Sequence, residues 1–437
     1  MNKPTTRSQI SLKQSKADFA PLESSKDLDI LLEEIGNSRY VLLGEATHGT
    51  HEFYTWRTAI SKRLIEEKGF NLIAVEGDWP DCYKINRWIK GYKDSGITIT
   101  EVLQSFKRWP TWMWANYEVA ALSEWLREYN SNGAHNNKIG FYGLDVYSLW
   151  ESMEILVEYL EKEDPKTASY SKEAFRCFEP YREEDSYANA IGELDEGCRK
   201  EVLDLLLEVR KNAKHYNGDK EAGLNAEMNA LVIKNAEKYY TAMMSFSESS
   251  WNVRDQHMVE TLDHIMKFHG SDAKVIVWEH NTHIGDARAT DMHRSGLLNV
   301  GQLVRERHGK DGVYIVGFGT YKGTVIAGSG WGAPMKKMKV PNAKENSVED
   351  ILHNSLPENK LLIFGRNNSL NNRFESWLGH RAIGVVYHPE MDKRNYVSTK
   401  LSERYDAFIF IDETSALHPL HIVPDAHLIP ETYPFNV

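Results

Sequence analysis

Four short apolar runs, separated by helical patterns and each ending in acidic or histidine residues, constrain the fold of this 437-residue chain most strongly. The runs are residues 40–44, 71–76, 138–144 and 274–278. Buried strands have this appearance, and their alternation with helices predicts a parallel sheet covered by helices on both faces. Ligands of such sheets bind at the carboxyl ends of the strands, so the polar residues that end the runs are candidates for an active site.

The stretch between the third and fourth runs has no good strand pattern. Helical spacing of apolar residues is found at 201–214, 224–244 and 251–268, and it predicts helices there. We interpret residues 151–269 as a helical lobe inserted into an α/β domain formed by residues 1–150 and 270–437. The alternative is a set of helices that simply covers the sheet.

The pattern changes after residue 312. Two β-like runs, 313–319 and 324–328, flank a Thr-Tyr-Lys-Gly sequence, which predicts a hairpin. Further β-like runs follow at 360–364, 381–387 and 407–411. The predicted fold class is therefore α/β, with a mixed, mostly parallel central sheet flanked by helices. The first 20 or so residues are expected to form a loose arm.

Composition argues against several kinds of partner. The chain has 63 acidic and 52 basic residues and a net charge of −11, without a basic stripe, which argues against nucleic acid. No run of about 18 apolar residues predicts a membrane span, and no apolar leader is visible. Cys82, Cys177 and Cys198 lack a metal-ligand spacing and indicate a reducing compartment without disulfides. We expect a cytoplasmic monomer that acts on a small molecule.

The turn after the first run contains the first candidate catalytic residues. His48 lies where a helix begins, a position that disfavours a protonated imidazole, so it is a candidate general base. Glu45 can orient His48 or cap the helix. Arg57 lies beside the apolar face of that helix, where it needs a carboxylate partner, either for structure or to stabilise charge in a transition state. His51 and Glu52 are better explained as residues of the first helical turn.

The ends of the other runs supply further candidates. Glu76 ends an apolar run, where a carboxylate is costly unless it is paired or used. His280 and His283 follow the fourth run and can bind a metal or donate a hydrogen bond to an oxyanion. Trp79 and Trp112 can line a cleft for a bulky ligand, although core packing explains them slightly better. The predicted catalytic residues are Glu45, His48, Arg57, Glu76, His280 and His283, and the predicted substrate-binding residues are Asp78, Trp79, Trp112, Asp145 and Arg254.

Several catalytic motifs are absent from the sequence. It contains no Gly-x-Ser-x-Gly, no Gly-x-x-x-x-Gly-Lys-Ser/Thr and no His-Glu-x-x-His. The chain therefore lacks the key residues of serine hydrolases, nucleotide hydrolases and zincins. The acids, histidines and arginines that remain suit attack by an activated water.

At these residues the chain resembles the erythromycin esterase family. The likeness rests on Gly44-Glu45-Ala46-Thr47-His48-Gly49, Val75-Glu76-Gly77-Asp78, Arg254-Asp255-x-x-Met258, Trp278-Glu279-His280-Asn281-Thr282-His283 and residues 406–419. The resemblance implies hydrolysis of a macrolide lactone by water, without a covalent serine intermediate. We expect no cofactor. On this view His48 is the general base, and Arg57 and His283 steady the oxyanion. Some members of the family are named for succinoglycan biosynthesis.

One residue departs from the family pattern. Glu279 stands where resistance enzymes of the family carry a small residue, and this extra carboxylate can alter the substrate or favour a metal. The wider superfamily includes metal-dependent peptidases and haem-binding proteins. Two alternatives to an esterase therefore stay open: a metal-dependent hydrolase with His48, Glu76, His280 and His283 as ligands, and a non-catalytic protein that binds haem or a macrolide.

Overall fold

The strands form one large sheet and one separate two-stranded sheet in a computed structural model of the chain. The described residues are 19–132, 138–178, 198–212, 220–245, 249–356, 358–365 and 368–437. Most of the predicted loose arm lies outside them. The strands are β1 (Ala20–Pro21), β2 (Tyr40–Leu43), β3 (Leu72–Asp78), β4 (Gly140–Asp145), β5 (Val275–Trp278), β6 (Val313–Ala327), β7 (Lys336–Val340), β8 (Lys360–Ile363), β9 (Leu378–Arg381), β10 (Tyr396–Thr399) and β11 (Ala407–Thr414).

The strand order in the large sheet is β1-β8-β11-β6-β2-β5-β3-β4, and β7 pairs with the C-terminal part of β6. The strands from β11 to β4 run parallel, whereas β7 and β8 are antiparallel to their neighbours. The fold is therefore α/β with a mixed, mostly parallel sheet, as predicted. The four apolar runs became β2, β3, β4 and β5, which are adjacent, so their carboxyl ends lie side by side.

Helices cover both faces of the sheet. No helix in the described ranges is long and apolar enough to cross a membrane. The α-helices are α1 (Asp29–Ile35), α2 (His51–Lys68), α3 (Trp79–Ile89), α4 (Ile99–Leu103), α5 (Tyr117–Ser131), α6 (Leu149–Glu163), α7 (Pro165–Phe175), α8 (Arg199–Asn212), α9 (Lys220–Ser245), α10 (Ser250–His269), α11 (Asn281–Ile284), α12 (Val300–His308), α13 (Val348–Ser355), α14 (Asn368–Phe374) and α15 (Leu401–Arg404).

The helices between β4 and β5 share a core with the sheet. The three predicted helical segments are confirmed as α8, α9 and α10, except for residues 213–214, which lie outside the described residues. One apolar cluster joins Leu42 and Leu72 of the sheet to Leu205 of α8, Met228 of α9 and Leu262 of α10. Burial of such a face against the sheet stabilises these helices more than their intrinsic propensity does. The division into an α/β domain and an inserted lobe stays a prediction.

Two predicted β features are wrong. The predicted hairpin is a single strand, β6, because residues 320–323 stay extended and pair with β11, for example Thr320 with Ile411 and Gly323 with Thr414. Residues 381–387 form no regular strand beyond Arg381. Ile383 makes an isolated bridge and packs with β6 residues in a small apolar cluster, which explains the apolar spacing without a ladder.

The cysteines also differ from expectation. Cys177 and Cys198 form a disulfide with a Cα–Cα distance of 5.8 Å, so the expectation of no disulfide is wrong for this pair. Cys82 is free and buried. The two bonded cysteines are 21 residues apart, and a separation of this size gives no local signal of pairing.

Candidate active site

The first group of side chains at the carboxyl ends of the strands is centred on Glu45, in the turn between β2 and α2. One carboxylate oxygen, Oε1, lies 2.9 Å from Nδ1 of His48, and Oε2 accepts a hydrogen bond of 2.7 Å from Nη2 of Arg57. The guanidinium of Arg57 also lies over the rings of Tyr54 and Trp278, at 4.5 and 4.6 Å. Glu45 therefore orients an imidazole and a guanidinium with one buried carboxylate.

These contacts fix the tautomer of His48. Because an ionised carboxylate only accepts hydrogen bonds, the proton of the neutral imidazole lies on Nδ1 and Nε2 has a free lone pair. Nε2 of His48 is buried and has no hydrogen-bond partner among the described residues. This is the arrangement that a general base requires.

The ring of His280 lies beside that of His48, with 4.9 Å between the ring centroids. Nδ1 of His280 accepts from the backbone N–H of Thr282 at 3.3 Å, so the neutral ring carries its proton on Nε2. Burial and the neighbouring His48 hold the pKa of His280 well below its usual value, which keeps the ring neutral. Nε2 of His280 is also buried and makes no hydrogen bond of good geometry to a described residue, although it lies near the backbone of Ala46. A free lone pair on His48 and an N–H donor on His280 thus come from two adjacent rings.

A second group is centred on Glu76, in β3. Its Oε1 accepts from Nη2 of Arg254 at 2.7 Å, and its Oε2 accepts from the backbone N–H of His280 at 2.7 Å. Arg254 also donates to both carboxylate oxygens of Asp145 at the end of β4. Burial alone would raise the pKa of Glu76, but the charges of His283 and Arg254 hold it well below its usual range. Glu76 is therefore ionised, and it links His280 to Arg254.

His283 lies within this second group. Its Nδ1 is 3.0 Å from Oδ1 of Asp255, and its Nε2 is 3.1 Å from Nη1 of Arg254. Trp251 stacks on the imidazole at 4.5 Å. Burial lowers the pKa of His283, but Asp255 and Glu76 outweigh burial and raise the pKa overall. Since both ring nitrogens are engaged, the geometry favours His280 over His283 as the donor to an oxyanion.

Glu279, which follows β5, has an unusual environment. It is completely buried, and neither carboxyl oxygen has a hydrogen-bond partner in the described ranges. Burial, reinforced by the charge of Glu76, raises the pKa of Glu279 well above its usual value. The side chain is therefore a neutral carboxylic acid beside an ionised one.

The predicted substrate-binding residues separate into two sets. Asp78 lies outside both groups and accepts from Nε of Arg108 at 2.8 Å. Trp79 stacks on Tyr142 in the apolar core, and Trp112 is packed edge-to-face on another tryptophan. The two members of the second group are Asp145 and Arg254. The functional roles of all these residues stay predictions.

Asp255 and Glu279 belong to this centre, although neither was among the predicted site residues. Asp255 lies next to Arg254 in α10, and the two side chains reach different partners: Asp255 binds His283, and Arg254 binds two carboxylates. The sequence signal for Asp255 was that Arg254 and Asp255 form a charged pair within an otherwise apolar helical pattern. Glu279 was visible as an acid at a strand end, but its neutral state depends on neighbours from other strands.

Fold and site together define an α/β protein with a buried centre of acids, histidines and arginines at the carboxyl ends of its parallel strands. The sequence model of the erythromycin esterase family matches residues 65–414, so the chain belongs to that family. The matched segment contains Glu76, Arg254 and His280, and it begins after Glu45 and His48. Membership supports a hydrolase.

Relatives agree with this assignment. Erythromycin esterase type II of Escherichia coli is 26% identical over 369 residues, which are 79% of this chain and 85% of the relative. A solved structure described as a succinoglycan biosynthesis protein has a TM-score of 0.78 at 22% identity, covering 94% of this chain and 98% of the other. An erythromycin esterase mutant in its open conformation has a TM-score of 0.65 at 17% identity, covering 92% and 96%. The two structural likenesses concern the fold.

Proposed function

We propose that this chain is a carboxylic ester hydrolase of the erythromycin esterase type, which opens a macrolide lactone or a similar ester. The observation that carries the proposal is the free lone pair on Nε2 of His48, whose tautomer is fixed by Glu45, beside the Nε2–H of His280. A role in macrolide resistance belongs to the proposal, as do a cytoplasmic location, a monomeric state and the lack of nucleic-acid and membrane partners.

The proposed reaction begins with proton abstraction from water. Nε2 of His48 takes the proton as the oxygen attacks the ester carbonyl carbon, a contribution worth roughly 10²–10⁴ in rate. Glu45 stabilises the resulting imidazolium through Nδ1. The oxyanion accepts from Nε2–H of His280 and from Nη1 of Arg57, which has no partner in the described structure. The intermediate then collapses, the C–O bond breaks, and the leaving alkoxide takes the proton from His48.

A metal-dependent hydrolase has less support from the geometry. Of the four ligands that such an enzyme would use, Glu76 and His283 are engaged by Arg254, and Arg57 binds the carboxylate that orients His48. Two arginine charges within this small volume oppose binding of a divalent cation. A non-catalytic binding protein, in turn, needs neither the Glu45–His48 contact nor the free ring nitrogens.

The test is turnover of a panel of macrolides and simpler lactones, followed by mass spectrometry. The product is expected to be heavier than the substrate by one water. Replacing His48 by Asn should lower kcat by at least about 10²-fold, because the general base is lost. The exposed His293, replaced by Asn, is the matched control and should leave kcat unchanged.

Three results would contradict the proposal. Full activity in His48→Asn would show that His48 is not the general base. Loss of activity on chelation in both the wild type and the His293→Asn control would support the metal-dependent alternative. Binding of macrolides without any change in their mass indicates a binding protein. Circular dichroism of each variant separates loss of chemistry from loss of fold.

A further inference from the structure

A second cluster of histidines lies at the protein surface, outside the proposed active site. Oε1 of Glu118 is 2.5 Å from Nδ1 of His51 and 2.6 Å from Nδ1 of His418. His51 begins α2, Glu118 is in the first turn of α5, and His418 lies beyond β11. Three segments that are distant in sequence therefore bring two imidazoles to one carboxylate oxygen, in what we call the His51–Glu118–His418 cluster.

The carboxylate of the cluster is buried, and its two imidazoles are accessible to solvent. The side chain of Glu118 is 5% exposed, whereas those of His51 and His418 are 33% and 62% exposed. The two rings meet edge-to-face with their centroids 5.1 Å apart. A pocket of about 300 Å³, which Thr55 and Tyr117 also line, opens beside them. An ion from solvent can therefore reach the carboxylate between the rings.

The backbone holds the three segments in place independently of these side chains. The N–H of Tyr117 donates to the carbonyl of His418 at 2.9 Å, and the N–H of His51 donates to the carbonyl of Ser415 at 2.9 Å. The N–H of His418 also lies 3.4 Å from the second oxygen of Glu118. Ligands that are held in this way lose little freedom when an ion binds.

Two imidazole nitrogens and one carboxylate oxygen are a ligand set typical of zinc sites that keep a fourth, water-occupied position. The ligand atoms of the three side chains all lie within 4.8 Å of one another. Zinc–nitrogen bonds of about 2.0–2.1 Å place tetrahedral ligand atoms roughly 3.3 Å apart. The nitrogen–oxygen distances of 2.5 and 2.6 Å therefore need to lengthen by less than about 1 Å, and the open side of the pocket leaves room for this movement.

We propose that the His51–Glu118–His418 cluster binds a divalent transition-metal ion of the zinc class, with water completing the coordination. The bound ion ties the segment after β11 and the start of α5 to the first turn of α2. His48, the proposed general base, lies three residues before His51. The ion thus links three segments beside the proposed active site, and its binding does not depend on ester hydrolysis.

The experiment uses the full chain, treated with chelator, and titrates it with Zn²⁺ by calorimetry and with Co²⁺ by visible absorption. We expect one Zn²⁺ per chain and the intense absorption bands of tetrahedral Co²⁺. Zn²⁺ at about 100 times its Kd should raise Tm by about 3 °C for a chain of this size. His418→Ala and Glu118→Gln should each weaken binding at least about tenfold, and the exposed His421, replaced by Ala, is the matched control.

The proposal is overturned if neither ion binds, or if His418→Ala binds as tightly as the wild type. Binding that is weakened by His48→Asn and kept in His418→Ala places the ion in the proposed active site instead, and this also overturns the proposal. An equal loss in His421→Ala indicates non-specific surface binding and has the same consequence. Because the side chain of His418 is 62% exposed, the metal-free His418→Ala variant should keep its circular dichroism spectrum and Tm.

Discussion

Neighbouring carboxyl groups at this sheet end differ in protonation because their neighbours differ. Glu76 receives hydrogen bonds from Arg254 and from the backbone of His280, and it is ionised. Glu279 has no such donors among the described residues, lies near the charge of Glu76 and is neutral. Opposite shifts of two nearby acids are a recurrent feature of active sites.

This difference predicts that Glu279→Gln stabilises the protein as the pH rises. The unfolded side chain loses its proton near pH 4.5, whereas the folded one keeps it. The folded state then binds more protons, so the free energy of unfolding falls by up to about 1.4 kcal/mol per pH unit above 4.5. Glutamine removes this loss. Urea unfolding at pH 4.5 and pH 7 should show that the advantage of the variant over the wild type grows with pH.

Activity provides the second measurement on the same variant. A neutral amide replaces a neutral acid, so kcat should stay within about threefold of the wild type. A large loss of kcat, together with a stability difference that does not change with pH, would show that Glu279 acts as an ionised group.

For single residues, position in the sequence indicated candidate site residues but not the side chains that contact them. Glu45, His48, Glu76 and His280 were found because each follows or ends an apolar run. The side chains that contact them come from distant segments brought together by folding, and no local sequence pattern predicts these contacts. His51 lies in the first helical turn as predicted, but its contact with Glu118, which His418 shares, joins segments that are distant in sequence.

At the scale of elements, the turn between β2 and α2 is clamped from two sides. The carbonyl of Gly49 accepts from the N–H of Ile326 in β6 at 3.0 Å and from the N–H of Leu417 at 2.9 Å. A Cβ atom at Gly49 would lie 1.9 Å from the carbonyl oxygen of Ile326. This close approach holds the turn that carries His48 against the sheet.

Gly49→Ala should therefore disturb catalysis without changing any reacting group. The new methyl group must push the turn away from β6, which should cost about 1–3 kcal/mol of stability and lower kcat at least about tenfold through misplacement of His48. Gly330→Ala is the control, because a Cβ there meets nothing within 4 Å. Denaturant unfolding and turnover check both effects. Unchanged activity in Gly49→Ala would mean that the turn is not held by this contact.

The spacing of apolar residues predicted helices and strands correctly where the prediction did not depend on knowing which strand they pair with. β2 to β5 and the long helices α8 to α10 have strong apolar spacing and were placed correctly. The hairpin prediction failed because residues 320–323 resemble a turn in isolation, yet they pair with β11, which lies far along the chain. Strand partners of that kind are a property of the whole sheet rather than of a segment.

At the scale of the whole molecule, the proposed active site is enclosed. The side chains of Arg57, Arg254 and His280 are completely buried. Residues 431–437 lie against the site: the carbonyl of Val437 accepts from Nη1 of Arg254 at 2.8 Å, and Phe435 packs on Trp251 with 5.3 Å between the ring centroids. A macrolide cannot reach His48 unless part of this cover moves.

Phe435→Ala should therefore favour large substrates. Loss of the aromatic contact with Trp251, worth on the order of 1 kcal/mol, raises the open population by several-fold and kcat/KM for a macrolide by a similar factor. A small ester that needs little opening should be hydrolysed as before. Hydrogen exchange of residues 431–437 should also become faster, and Val423→Ala, at a position 86% exposed, is the control. An equal fall in kcat/KM for both substrates would show instead that this segment positions the catalytic groups, because a mere cover affects only substrates that are too large to pass it.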